Sequence, residues 1–156
     1  MKNRWVILFI RSAGALLIAT AVAKFVSASG SAHVLQNLDP VFHISFRYMF
    51  LIAGAFEITV ASVCILSKNC YLQTGLLLLI SSNIALYRLS LWLVGWHGPC
   101  SCLGNLTDAI HVPPQVADDI MKGLLVYLLI GSCNTLLWLW RRGKDVKGVS
   151  ASVLLR

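Results

Sequence analysis

Four apolar runs, each long enough to cross a bilayer, decide what this chain can fold into. They extend from about Trp5 to Ala28, Ile44 to Leu66, Tyr71 to Val94 and Ile120 to Trp140. A spanning helix needs about 20 mainly apolar residues to cross a hydrocarbon core of roughly 30 Å. The expected fold class is therefore all-α: a polytopic four-helix membrane bundle over residues 1–142, followed by a basic tail over 143–156.

Composition agrees. Of 156 residues, 58% are hydrophobic and 12% charged, with a mean hydropathy of +0.77. A soluble domain carries charge on roughly a quarter of its residues, so lipid must solvate much of this chain. The net charge of +7 would suggest nucleic acid in a soluble protein. Here the basic residues flank the apolar runs and gather at the chain ends, which is the pattern of membrane orientation and not of a nucleic-acid surface. The first run resembles a signal peptide in Lys2, Arg4 and the small residues Ser27-Ala28-Ser29. Its apolar part is too long for one, and Arg11 and Lys24 interrupt it.

Lysine and arginine also orient the bundle. The N-terminus carries Lys2 and Arg4, the link between the second and third runs carries Lys68, and the tail carries Arg141, Arg142, Lys144, Lys147 and Arg156. Residues 29–43 and 95–119 contain no Lys or Arg, but do contain Asp39, Asp108, Asp118 and Asp119. The expected topology is both termini cytoplasmic, the two longer loops outside, in a bacterial inner membrane. Trp5, Trp92, Trp96, Trp138 and Trp140 fall near the expected interfaces. The tail reads as a topology anchor with a frayed end, or as a contact for lipid headgroups or a partner.

Arg11, Lys24, Glu57 and Arg88 fall within the runs, where a charge is costly unless paired. At a rise of about 1.5 Å per residue, Arg11 lies about 9 Å and Glu57 about 13 Å from the inner face. An Arg11–Glu57 ion pair between the first two helices is therefore expected. Lys24 and Arg88 lie about 26–28 Å up on the same count. Lys24 is expected to snorkel to the outer headgroups. Arg88 either snorkels, pairs with a carboxylate, or stabilises a thiolate or a quinone oxygen above it. Gly14, Ala15, Ala19, Gly54, Ala55, Ala61 and Ser62 would let the first two helices approach closely.

Five cysteines divide into two sets. Cys64, Cys70 and Cys133 read as small apolar packers or reduced thiols. Cys100 and Cys102 lie in His97-Gly98-Pro99-Cys100-Ser101-Cys102-Leu103-Gly104, just outside the third helix. In an oxidising compartment such a pair tends to a disulfide. A bridge across one residue closes a strained ring, and strained, exposed disulfides are the exchangeable ones. Gly98, Pro99 and Gly104 supply the tight backbone. Three readings stand: a catalytic disulfide, a structural staple, or a metal site recruiting His97 or His111. Zinc usually takes four ligands at longer cysteine spacing, whereas a soft ion such as Cu(I) accepts fewer. His33 and His43 read as interfacial. Asn105-Leu106-Thr107 matches a glycosylation acceptor that carries little meaning in a bacterial membrane protein. Pro113-Pro114 marks a turn, and Asp118 and Asp119 suit the N-terminus of the fourth helix.

Arg11, Ala23-Lys24-Phe25, Gly54-Ala55-Phe56-Glu57 and Cys100-Ser101-Cys102-Leu103-Gly104 together resemble the DoxX-like group, and within it the methylamine utilisation protein MauE family. The resemblance covers about residues 8–142 and departs at Leu103, where the family more often has Phe. It implies a four-helix membrane bundle and a role in periplasmic thiol–disulfide chemistry, carried by Cys100 and Cys102. In that family the client is the disulfide-rich small subunit of methylamine dehydrogenase. Quinone-coupled disulfide generators relay between two cysteine pairs, and this chain has one obvious outer pair. A periplasmic thioredoxin-like protein or a cysteine-rich client would supply the second, and a membrane quinone is the cofactor candidate. The rival expectations are a non-catalytic assembly factor whose disulfide staples a loop, and a small subunit of a quinol-oxidising respiratory complex. A transporter using Glu57 is weaker, since no broken-helix pair is evident.

Overall fold

The computed structural model describes residues 4–30, 38–95 and 113–154, with only the backbone course given beyond Arg142. It is all-helical in these residues: α1 spans Arg4–Ser29, α2 Phe46–Leu66, α3 Cys70–Leu93 and α4 Pro114–Leu154. All four are long and apolar enough to cross a membrane, α4 over Asp118–Arg142. The chain is a multi-pass membrane protein.

The helices form because their buried positions recur at helical spacing. On α1 the buried residues Val6, Ile10, Ala13, Leu17, Thr20, Lys24 and Ser27 alternate steps of four and three. That interval keeps one face against the neighbouring helices, and the buried Gly14, Ala21, Ala23 and Ala28 widen it. One core draws on every helix: Ile10 and Leu17 of α1, Val60 and Ala61 of α2, Leu77 of α3 and Leu128 of α4. Outside it the usual polarity is reversed. Leu8, Phe56 and Leu86 stand exposed while Thr20, Glu57, Ser81 and Ser132 are buried, as lipid-solvated helices require.

Helices α1 and α2 pack closely. A Cβ on Gly54 would lie 3.2 Å from the Phe25 ring, and one on Gly14 would lie 3.3 Å from Cys64 Cβ. Helices α3 and α4 form the second close pair, fastened by Tyr71 Oη donating to the Leu139 carbonyl at 2.7 Å. The short link 67–69 joins the pairs. Asn69 caps α3 by accepting from the Tyr71 and Leu72 amides. Gln73 Nε2 reaches back to the carbonyls of Cys64 at 3.0 Å and Ser67 at 2.7 Å. A carbonyl in the last turn of α2 and that of its C-cap, which lack a partner within the helix, are satisfied this way.

Two boundaries differ from the sequence expectation by more than two residues. Helix α4 begins at Pro114, six residues before the expected start at 120, because proline is tolerated in the first turn, where its missing N–H is not needed. Asp118 and Asp119 consequently lie inside the helix and not ahead of it. At the other end α4 continues as helix through Leu154, where a frayed tail was expected.

Candidate functional site

The ion pairs gather towards the end of the bundle that carries the two longer connections. Deepest is an ion pair between α1 and α2: Lys24 Nζ lies 2.6 Å from Glu57 Oε1. Both residues are buried, at 6% and 3% exposure. Thr20 donates to the other oxygen, Glu57 Oε2, at 3.0 Å. Thr20 and Lys24 are four residues apart and so share a face of α1, which lets one carboxylate receive both.

This corrects the expected Arg11–Glu57 pair. The depth count placed the inner ends of α1 and α2 at one level. In the structure Gly14 packs on Ala61, Cys64 and Ile65, so α1 is shifted along α2 towards the link. Arg11, about one turn before Gly14, is level with the end of α2 and exposed. Lys24 is drawn inward to Glu57 and does not snorkel.

The first long connection is fastened by a buried carboxylate. Asp39, at 0% exposure, accepts at Oδ1 from the amides of Val41 at 2.8 Å and Phe42 at 2.9 Å. An Asp before Pro40 is suited to this, since its side chain imitates a turn. The ring closes through the Asp39 amide to the Ile44 carbonyl at 2.8 Å, with His43 in the left-handed region at φ 56°. Tyr87 of α3 donates its hydroxyl to Asp39 Oδ2 and stacks its ring on Phe42. Arg47 adds a bond to the Gly30 carbonyl at 2.8 Å. Sequence reasoning did not find the Asp39–Tyr87 anchor, and Asp39-Pro40 was its one local signal.

The next residue of α3 holds the first turns of α4. Arg88 Nη2 lies 2.9 Å from Asp118 Oδ1 of α4, and Lys122 Nζ lies 2.8 Å from Asp118 Oδ2 and 3.2 Å from Asp119. Arg88 thus pairs with a carboxylate, one of the roles its sequence position allowed. Tyr87 thus fastens the first connection, and Arg88 fastens α4, to the penultimate turn of α3.

Cys100, Cys102, Pro99 and Gly104, with His97 and His111, lie outside the described residues, between Gly95 and Pro113. Arg88 and Asp118 tie the two helices that flank that segment in the sequence. The other cysteines are free thiols: Cys64 is buried against Gly14, Cys70 is half-buried and Cys133 faces outward. Among the described residues no group of His, Cys, Asp and Glu side chains could hold a metal ion. No family model, curated protein or solved structure matches this chain.

Proposed function

We propose that this is a bacterial inner-membrane protein, similar to the MauE and DoxX-like proteins, that supports maturation of periplasmic proteins by thiol–disulfide exchange at Cys100 and Cys102. The observation that carries the reading is the Cys100-Ser101-Cys102 element in the connection between α3 and α4, a connection bracketed by the Arg88–Asp118 ion pair. The tie joins the two helices between which that element lies in the sequence.

In the exchange, a client thiolate attacks one sulfur of the Cys100–Cys102 disulfide and the other sulfur leaves as a thiolate. The client's second thiolate then attacks the client sulfur of the mixed disulfide. The client gains a disulfide, and Cys100 and Cys102 are left as thiols. A thioredoxin-like protein carrying a disulfide reverses the state of the pair by the same two steps.

The decisive measurement is the redox equilibrium of the purified protein in glutathione buffers, with free thiols trapped by maleimide. An exchanging pair titrates at about −250 to −120 mV, the range of thiol oxidoreductases, and a staple resists reduction to below about −300 mV. Replacing either Cys100 or Cys102 by Ser abolishes exchange and leaves the bundle folded. Full activity in the Cys102→Ser protein would rule the pair out. One observation favours the assembly factor as second reading: Arg88 already bonds Asp118, so its charge is shared before any thiolate is present. That reading has the Cys100→Ser/Cys102→Ser protein bind its client normally.

A further inference from the structure

Helices α1 and α4 meet where the Phe9 ring occupies the space a Cβ on Gly131 would need, and where Ser12 and Tyr127 share a hydrogen bond of 2.8 Å. Elsewhere the seam is an open groove of about 700 Å³, lined by Trp5, Leu8, Phe9, Tyr127, Asn134 and Trp138 among others. It lies within two membrane spans, so only a lipid-phase molecule or another helix can reach it. We propose that it binds one anionic phospholipid, with an acyl chain in the groove and the phosphate at the arginines by its mouth.

Charge at the mouth argues for the anion. Arg142 Cζ sits 4.5 Å above the Trp138 ring, and Arg4 and Arg141 are exposed at the same end of the bundle. Lys68 is exposed in the link at that end, with no carboxylate among the described side chains there. Basic clusters between helices at a membrane surface are suited to anionic headgroups.

The polar groups inside the groove argue for a glycerol ester. Asn134 and Thr135 line it, and among the described residues neither side chain makes a hydrogen bond. Thr135 is 8% exposed. A polar group facing hydrocarbon without a partner is costly. Both lie about one turn, or roughly 5 Å, inside Trp138. An ester carbonyl lies about that far below its phosphate and accepts from an amide or a hydroxyl. A second copy of the chain is disfavoured, because a two-fold interface would set these arginines against themselves. A quinone ring would use Asn134 but leave the cations without an anion.

The test is native mass spectrometry of the full chain in mild detergent, titrated with phosphatidylglycerol and phosphatidylcholine of identical acyl chains. Phosphatidylglycerol is expected to saturate at one per chain, with phosphatidylcholine much weaker. Arg142→Gln, which removes one surface cation, costs about fivefold in that preference. Asn134→Trp fills the groove and abolishes the stoichiometric lipid, whereas Asn83→Trp, on an exposed position of α3, leaves it bound. Equal binding of the two lipids would overturn the proposal. So would indifference to both Arg142→Gln and Asn134→Trp, or a lipid-free dimer joined across α1 and α4.

Discussion

The Lys24–Glu57 pair shows how one residue's environment dictates its partner. Glu57 is the twelfth residue of α2, about 16 Å along the helix from its first residue. Water cannot reach a carboxylate at that depth, so a cation and a hydroxyl must replace it. Removing one member leaves the other charged and buried, which costs about 3–5 kcal/mol, whereas replacing both by apolar groups is often close to neutral. Glu57→Leu and Lys24→Met should each lower the thermal unfolding temperature of the detergent-solubilised protein sharply, and the double variant should recover most of the loss. Additive losses would mean that the two side chains do not act on each other. The need for a partner was legible in the sequence. Its identity was not, because Arg11 and Lys24 are equally good cations. The choice is made by the packing of Gly14 on Cys64, which sets how far α1 slides along α2.

At the scale of elements, the four helices were legible because a bilayer demands long apolar runs. The connections were less so, being shaped by single tertiary contacts. The anchor on Tyr87 makes the point: a tyrosine on α3 and an aspartate 48 residues earlier carry no joint pattern in the chain. Tyr87→Phe removes one bond to a carboxylate, and such bonds are worth about 1.5–3 kcal/mol. Asp39→Ala removes that bond and both turn amides' acceptor. Limited proteolysis within residues 38–45 should accelerate in the order wild type, Tyr87→Phe, Asp39→Ala. If Asp39→Ala is cut no faster than wild type, the buried carboxylate does not hold the connection. Gln73 belongs to the same class. From sequence it is a polar residue early in a helix, and in the structure it closes the end of the preceding one.

At the scale of the molecule, the two ends of the bundle differ in charge, and the proposed chemistry depends on which compartment each end meets. The link end carries Arg4, Arg11, Lys68, Arg141 and Arg142 with no carboxylate among the described side chains; at the other end Arg47, Arg88 and Lys122 are balanced by Asp39, Asp118 and Asp119. Loop lysines and arginines resist export, whereas carboxylates have little effect. The bundle is therefore expected to hold its link in the cytoplasm and present both long connections outside. In a chain whose five cysteines are replaced by Ser, Phe42→Cys and Ser67→Cys separate the outcomes, since Phe42 is exposed at one end and Ser67 lies in the link at the other. A membrane-impermeant maleimide applied to intact cells should label Phe42→Cys and spare Ser67→Cys until the cells are opened. The reverse pattern would put the segment holding Cys100 and Cys102 in the cytoplasm, where thiols are kept reduced. A strained disulfide would not persist there. Exchange with periplasmic clients would fail as a reading whatever the chemistry of the pair, so orientation comes before every question about the cysteines.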